Sequence, residues 1–231
     1  MATSELTARL QSLHERVELA ASRVGRSASD VTVVAVVKTV PVPLIEEAIE
    51  AGITHIGENR VQEASQKFES IGRKVTWHMV GHLQRNKVKR ALEIFDVIQS
   101  VDSVRLARAI SERALATQRV ADVFLEVNTS GEETKYGFRP GELCAAAEQI
   151  CQLDGLRVRG LMTVGPFVED AEEVRRSFVL LRGLRDKISA LGLTNVETNV
   201  LSMGMTSDFE VAIEEGATMI RVGTAIFGAR Q

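Results

Sequence analysis

Lys38 ends an unbroken run of apolar and β-branched residues, Val31-Thr32-Val33-Val34-Ala35-Val36-Val37. Such a run, with valine dominant, predicts a strand buried on both faces, as in a parallel sheet. The lysine then stands where the strand leaves the core, ahead of Thr39, Pro41 and Pro43. An amine at the edge of an apolar core loses hydration, so its ammonium form is disfavoured and its lone pair becomes a usable nucleophile. Schiff-base chemistry with a carbonyl compound needs that property. The alternative at this point is a lysine that simply snorkels to solvent from a strand end.

A second group of residues bears on the choice. Ser202 and Gly204, in Leu201-Ser202-Met203-Gly204, supply a hydroxyl and a tight turn after an apolar stretch. Gly223 and Thr224, in Arg221-Val222-Gly223-Thr224, do the same after another. Barrels of alternating strands and helices often hold phosphate with the loops after strands seven and eight. Glycines after strands are also ordinary turn residues. Arg221 is placed to point towards the same mouth as Lys38. An imine-forming lysine, a phosphate cradle and a strand-end arginine together fit pyridoxal 5'-phosphate, held as a covalent imine to Lys38. Arginine stays cationic and only donates, so facing the pyridine nitrogen it would keep that atom unprotonated and the ring a weaker electron sink.

The elements that must position these residues alternate along the chain. Leu6, Leu10, Leu13, Val17, Ala21 and Val24 fall on one helical face that Gly25 ends. After the Lys38 strand, Pro43 opens a helix through Ile45, Ala48 and Ile49, and Ile53 to Gly57 is a second strand ending at Glu58-Asn59. A helix through Val61, Ala64 and Phe68 precedes a third strand, Val75 to Val80. A basic helix from Gln84 to Leu92 leads to a fourth strand around Phe95 to Gln99. Ser103 caps a helix carrying Leu106, Ile110 and Ala114, and Ala121 to Val127 is a fifth strand. Pro140 starts a helix with Leu143, Ala147 and Ile150, before a sixth strand, Leu156 to Met162. Asp170 and Glu173 have capping-box spacing before Val174, Phe178, Leu181 and Ile188, and Val196 to Leu201 is the seventh strand. Ser207 and Glu210 form a further capping box, and Thr218 to Val222 is the eighth strand.

Eight strands alternating with helices, without a Gly/Pro/Ser-rich linker, predict a single (β/α)8 barrel domain over residues 1–231. A doubly wound open sheet is the alternative. The segment after Val222 is too short for a full eighth helix, so the N-terminal helix, within residues 1–25, is expected to pack on the barrel there. With 45% hydrophobic and only 4% aromatic residues, the core must be built from aliphatic side chains. A net charge of -3 argues against a nucleic-acid binder, and the run Arg85, Lys87, Lys89, Arg90 reads as a solvated helix face. No apolar run approaches the ~20 residues that a membrane-spanning helix needs, and no signal-peptide pattern opens the chain. Cys144 and Cys151, seven apart in one helix, would lie roughly 10 Å apart and read as small buried side chains in a reducing compartment. A cytoplasmic protein, and a monomer, is expected. His78 and His82 have no third partner nearby and need not share a face, so no metal is expected.

The residues resemble those of the pyridoxal phosphate homeostasis proteins, the single-domain barrels related to the barrel half of bacterial alanine racemases. The resemblance runs from Val33 to Arg230. It rests on Ala35-Val36-Val37-Lys38-Thr39, Gly57-Glu58-Asn59-Arg60-Val61-Gln62-Glu63 and the block from Trp77 to Lys87. It continues through Gly160-Leu161-Met162, Leu201 to Asp208 and Arg221 to Gly228. The resemblance implies that Lys38 is the cofactor lysine, Ser202, Gly223 and Thr224 the phosphate ligands, Arg221 the pyridine-nitrogen partner and Asn59 a pocket residue. Two departures fall near the mouth: Arg60 stands where the family usually has tyrosine, and Arg230-Gln231 carry no terminal aromatic.

The function implied is a carrier or regulator of pyridoxal phosphate, with apoenzymes that need it as possible partners. An amino-acid racemase using the same lysine is the alternative, and a scaffold with a decayed site a third reading. Resemblance to the racemases implies an opposite base, a tyrosine from a second β-rich domain of a partner subunit. The chain ends soon after the Gly223-Thr224 cradle, leaving no residues for that domain, and its one tyrosine, Tyr136, is not matched to that role. Lys135, in the loop from Asn128 to Gly137, is either a loop ion-pair partner of Glu132 or Glu133 or a lysine that meets the cofactor in transit.

Overall fold

A computed structural model of the chain describes residues 5–168 and 170–228. The departure at Arg230-Gln231 lies outside the described residues. Among these, β1 (Thr32–Val36), β2 (His55–Glu58), β3 (Thr76–Met79), β4 (Val97–Val101), β5 (Ala121–Glu126), β6 (Leu156–Met162), β7 (Val196–Ser202) and β8 (Met219–Val222) close in chain order into a parallel barrel. Closure runs from Thr32 opposite Met219 to Ala35 opposite Val222. The helices between them are α2 (Val42–Glu50), α3 (Val61–Ile71), α4 (Val88–Ile94), α5 (Val104–Leu115), α6 (Leu143–Ile150), α7 (Ala171–Ala190), α8 (Phe209–Glu214) and a single turn, α9 (Thr224–Phe227). This is the (β/α)8 barrel that the alternation of elements predicts, not an open sheet.

Two apolar layers follow from the strands' twofold periodicity. Outward side chains meet the helices in one large sleeve, where Trp77 packs edge-on against Phe68 and Phe95 and donates its indole N–H to Gly72 O at 2.9 Å. Inward side chains form a small plug of Val34, Phe124, Met162 and Met219. The same inward face carries His78, Gln99, Ser202 and Arg221, all buried. A barrel interior is a packed core, so these polar groups must find partners inside it.

α1 (Glu5–Arg23) precedes the first strand and packs on α8 and α9. Its stripe of Leu6, Leu10, Leu13, Val17, Ala20 and Ala21 supplies most of the attachment. Arg16 and Arg23 also reach Glu210 and Glu214, but exposed pairs of this kind are worth only about 0.2–1 kcal/mol. Val24 does not join the stripe. It is 42% exposed, because the helix stops at Arg23 and Gly25, at φ 67°, turns the chain away.

Several element ends differ from the sequence-based expectation. β1 stops at Val36, and Lys38 stands in a turn closed by Val40 N–H donating to Val37 O at 3.0 Å. β4 begins at Val97 because Phe95 ends α4, donating to Ala91 O at 2.8 Å. The basic stretch opens as a 3-10 turn, Arg85–Lys87, before α4 begins. α6 starts at Leu143, three residues beyond Pro140. Asp170 caps α7 by accepting from Glu172 N–H at 2.9 Å. The box predicted at Ser207 does not form: Asp208 is the N-cap, and its carboxylate accepts from Met205 N–H instead of capping α8.

Candidate functional site

The C-terminal ends of β1, β7 and β8 open on one cavity of about 920 Å³. That volume is within the range of small-molecule sites, about 300–1,000 Å³. Lys38, Thr206, Ser207, Arg221, Gly223 and Thr224 all contribute to its wall, with Phe167 and Phe227 among its aromatic members. Four of the expected residues are therefore brought together, and two are not.

Lys38 is half-buried, and its backbone is held from both sides. On the N-terminal side, Val37 N–H donates to Gly57 O at 2.9 Å, tying the strand exit to β2. On the C-terminal side, Thr39 adopts the left-handed conformation at φ 64°. A β-branched residue there is an outlier, costing about 1–2 kcal/mol. Glu63 holds it in place, accepting from Thr39 N–H at 2.5 Å. Beneath the turn lies the buried Lys67, whose Nζ donates to Val37 O at 2.5 Å, Glu58 Oε1 at 2.5 Å and Glu63 Oε1 at 2.7 Å. Burial pushes the Glu58 carboxyl above its ordinary range, against the opposing bond from Lys67. For Glu63, burial acts in the same direction, but the bonds from Lys67 and Thr39 outweigh it and hold it low.

The opposite wall comes from the turns after β7 and β8. Gly204, at φ 95°, makes the first turn possible, since a Cβ there would lie 2.6 Å from the Ala212 Cβ. Its carbonyl accepts from Arg221 N–H at 2.9 Å, which fixes the loop against β8. Beyond it, Thr206 Oγ1 accepts from Ala225 N–H at 3.4 Å and bridges the two turns. Gly223 has no side chain to crowd the cavity, and a Cβ there would approach Val36 O to 3.2 Å. No side chain caps the turn that follows it. Three hydroxyls and a glycine turn are therefore available to an oxyanion at this end of the cavity.

Arg221 is buried below that turn. It donates through Nη1 to Ser202 Oγ at 2.6 Å and through Nη2 to Thr163 O at 2.7 Å. Burial lowers its pKa to about 10, with Glu126 and Asp208 opposing, so it is cationic at neutral pH. Ser202 donates to Gln99 Oε1 at 2.7 Å, and Gln99 Nε2 lies 2.9 Å from His78 Nδ1. His78 Nε2 lies 3.0 Å from His55 Nδ1. An amide nitrogen only donates, so His78 Nδ1 accepts and its proton is on Nε2, directed at His55. Burial, with a smaller contribution from His55, drives the His78 pKa down to about 3, which keeps the ring neutral.

Ser202 is thus not among the residues that line the cavity. It is the last residue of β7 and fully buried, and its hydroxyl is committed to Arg221 and Gln99. The loop hydroxyls that do face the cavity, Thr206 and Ser207, were missed. Asn59 also stays off the wall. It follows β2, and Gly81 lets another segment pass it, since a Cβ on Gly81 would lie 2.6 Å from Asn59 O. Arg60 is exposed at the N-cap of α3. Lys135 pairs with Glu132 at 2.6 Å, donates to Gly165 O at 2.9 Å and lies 4.8 Å from the Phe167 ring centre. His78 is inside the barrel, whereas His82 pairs with Asp102 at 2.9 Å and stacks on Tyr136, so the two histidines serve different places.

The profile described as "Alanine racemase, N-terminal domain" matches residues 8–231. A protein of Aquifex aeolicus (strain VF5) named "Pyridoxal phosphate homeostasis protein" is 43% identical over 96% of this chain and 97% of its own length. The chain belongs to the pyridoxal phosphate homeostasis protein family. Among solved structures, an unknown protein from Bifidobacterium adolescentis shares 42% identity with a TM-score of 0.93, covering 96% of this chain and 94% of its own. PipY of Synechococcus elongatus PCC7942, with PLP bound, shares 37% identity with a TM-score of 0.84, covering 97% of this chain and 100% of its own.

Membership in the pyridoxal phosphate homeostasis family gives the cavity a cofactor to be tested against. The residues fit it. An amine, a donor-only cation and a hydroxyl-and-glycine wall are the groups that an aldehyde, a pyridine nitrogen and a phosphate would require. Lys67 also left a signal in the sequence: it falls on the helical stripe of Val61, Ala64 and Ile71, where a lysine must be buried and paired.

Proposed function

We propose that this chain holds pyridoxal phosphate through Lys38 and acts as its carrier or regulator, without being an efficient catalyst. The observation that supports this most is the convergence of Lys38, from the end of β1, with Arg221, Gly223 and Thr224, from the end of β8, on one cavity. When bound there, the cofactor supplies an aldehyde able to condense with a lysine amine. Thr206, Ser207, Thr224 and the Gly223 turn hold its phosphate, and Arg221 sets the electronics of its ring by donating without giving up a proton. The relatives' names refer to homeostasis rather than to a reaction, in keeping with this reading. The proteins that require the cofactor are the partners such a role implies. Among the described residues no helix is long and apolar enough to cross a membrane.

The test is a peptide map of the cofactor-loaded protein after borohydride reduction. The pyridoxyl group is expected on Lys38 and to vanish in Lys38→Ala, which should stay folded because the substitution lies in a half-buried turn. A label on Lys135 in place of Lys38 would overturn the assignment.

A further inference from the structure

We propose that Lys67, together with Glu58 and Glu63, is a positioning device for Lys38: Lys67 and Glu63 clamp the backbone on either side of that residue, Glu58 holds the Lys67 ammonium in place, and the amine of Lys38 is so directed into the cavity. The inference rests on the reading of Lys38 as the covalent anchor. An ammonium has three protons, and Lys67 places all three on Val37 O, Glu58 and Glu63. The first acceptor immediately precedes Lys38. The third, the Glu63 carboxylate, also takes the N–H of Thr39, which immediately follows it. One buried cation therefore connects the two peptide groups that flank the anchor.

Stability alone is a weak reason for such an arrangement. Removing charges from water offsets most of their attraction, and an apolar residue on the same helical stripe would pack as well. An apolar side chain, however, could not hold a carbonyl and an amide on either side of one residue. Nor could it keep Thr39 at φ 64°, a strained conformation that surrounding contacts must impose. Strain beside a reactive group, fixed by a carboxylate that a buried lysine anchors, is how a side chain is held ready before its ligand arrives.

The experiment compares two ligands. Pyridoxal phosphate can bond to Lys38, whereas pyridoxamine phosphate fills the same space but has no aldehyde. A role in folding alone would weaken both equally. In Lys67→Met the Kd of pyridoxal phosphate is expected to rise about tenfold, the equivalent of releasing one left-handed residue, with little change for pyridoxamine phosphate. Because that variant leaves Glu58 buried without its partner and can fail to fold, Glu63→Ala and Thr39→Gly are measured beside it. Glu63→Ala should reproduce the selective loss, and Glu63→Gln, which can still accept from the Thr39 amide, should lose less. Glycine removes the strain, so Glu63→Ala should matter less in the Thr39→Gly background than in the parent. If the parent yields no borohydride-stable label on Lys38, the anchor reading fails and the clamp with it. If the parent is labelled on Lys38 while every variant keeps the parent's ratio of the two affinities, the clamp alone is overturned.

Discussion

Arg221 donates through Nη1 to Ser202 Oγ at 2.6 Å, and the Ser202 hydroxyl in turn donates to Gln99 Oε1 at 2.7 Å. The serine is thus a support for the arginine, one step behind the cavity. Its removal should leave a guanidinium N–H and an amide oxygen buried without partners, at a cost of about 1–3 kcal/mol. Ser202→Ala is therefore expected to lower the unfolding free energy in denaturant by that amount. It should weaken pyridoxal phosphate and pyridoxal, which lacks the phosphate, to the same extent. A selective loss of the phosphorylated form would return Ser202 to the phosphate site.

Thr206 and Thr224 should behave differently, because both residues line the cavity. Hydrogen bonds to charged groups contribute about 1.5–3 kcal/mol each. Thr206→Val and Thr224→Val should accordingly weaken pyridoxal phosphate by roughly 10- to 100-fold and pyridoxal much less. Titration of both ligands against each variant decides the matter, and equal losses would remove these residues from the phosphate site.

How legible these roles were depended on what each one rests on. The strand order follows from β-branched runs separated by apolar helical stripes, which is local information, and the sleeve packing enforces it. The end of β1 was not legible. Thr39 is a residue type that avoids the left-handed turn it adopts, and Glu63, 24 positions later, imposes it. Ser202 reads as a loop hydroxyl because a serine two residues before a glycine looks the same on either side of a strand's end. Its pairing with Met162 on one side and Met219 on the other shows that it still belongs to the barrel interior. The chain of contacts from Arg221 through Gln99 and His78 to His55 spans five strands, so it exists only once their registers are set. The buried Lys67 could have been found, since its helical position is an apolar one.

Glu126 provides a pH test. It is buried at the end of β5, and its Oε2 has no hydrogen-bond partner among the described residues. Burial, reinforced by the Asp102 charge and opposed by Arg221, raises its pKa from 4.5 to about 7. The folded state thus keeps a proton that the unfolded chain loses above pH 4.5. The stability linked to that proton is fully present below this value and is lost as pH rises through about 7. Glu126→Gln cannot ionise and should escape the loss. From pH 5 to 8, the parent should lose stability relative to the variant, by on the order of 3 kcal/mol at most. Parallel denaturant-unfolding curves for the two proteins across that range would show that Glu126 ionises alike in both states.

The last prediction separates carrier from racemase. Racemisation takes the α-proton from one face of an amino acid and returns one to the other, so it needs an acid/base group on each face. Lys38 can serve one. The single tyrosine, Tyr136, is 55% exposed, stacks on His82 with ring centres 3.8 Å apart, and does not line the cavity. Arg221 further limits the reaction. It stays cationic, is pinned by Ser202 and Thr163, and only donates, so a pyridine nitrogen beside it would remain unprotonated and withdraw little charge. A positioned acid/base group contributes about 10²–10⁴-fold, so a site in which Tyr136 does not take the second face should keep weak side activity at most. The cofactor-loaded protein is expected to show no efficient turnover of free L- or D-amino acids, measured by chiral separation over long incubations. Racemisation of any common amino acid at ordinary enzyme rates, about 1–10³ s⁻¹, and abolished by Lys38→Ala, would overturn the carrier reading.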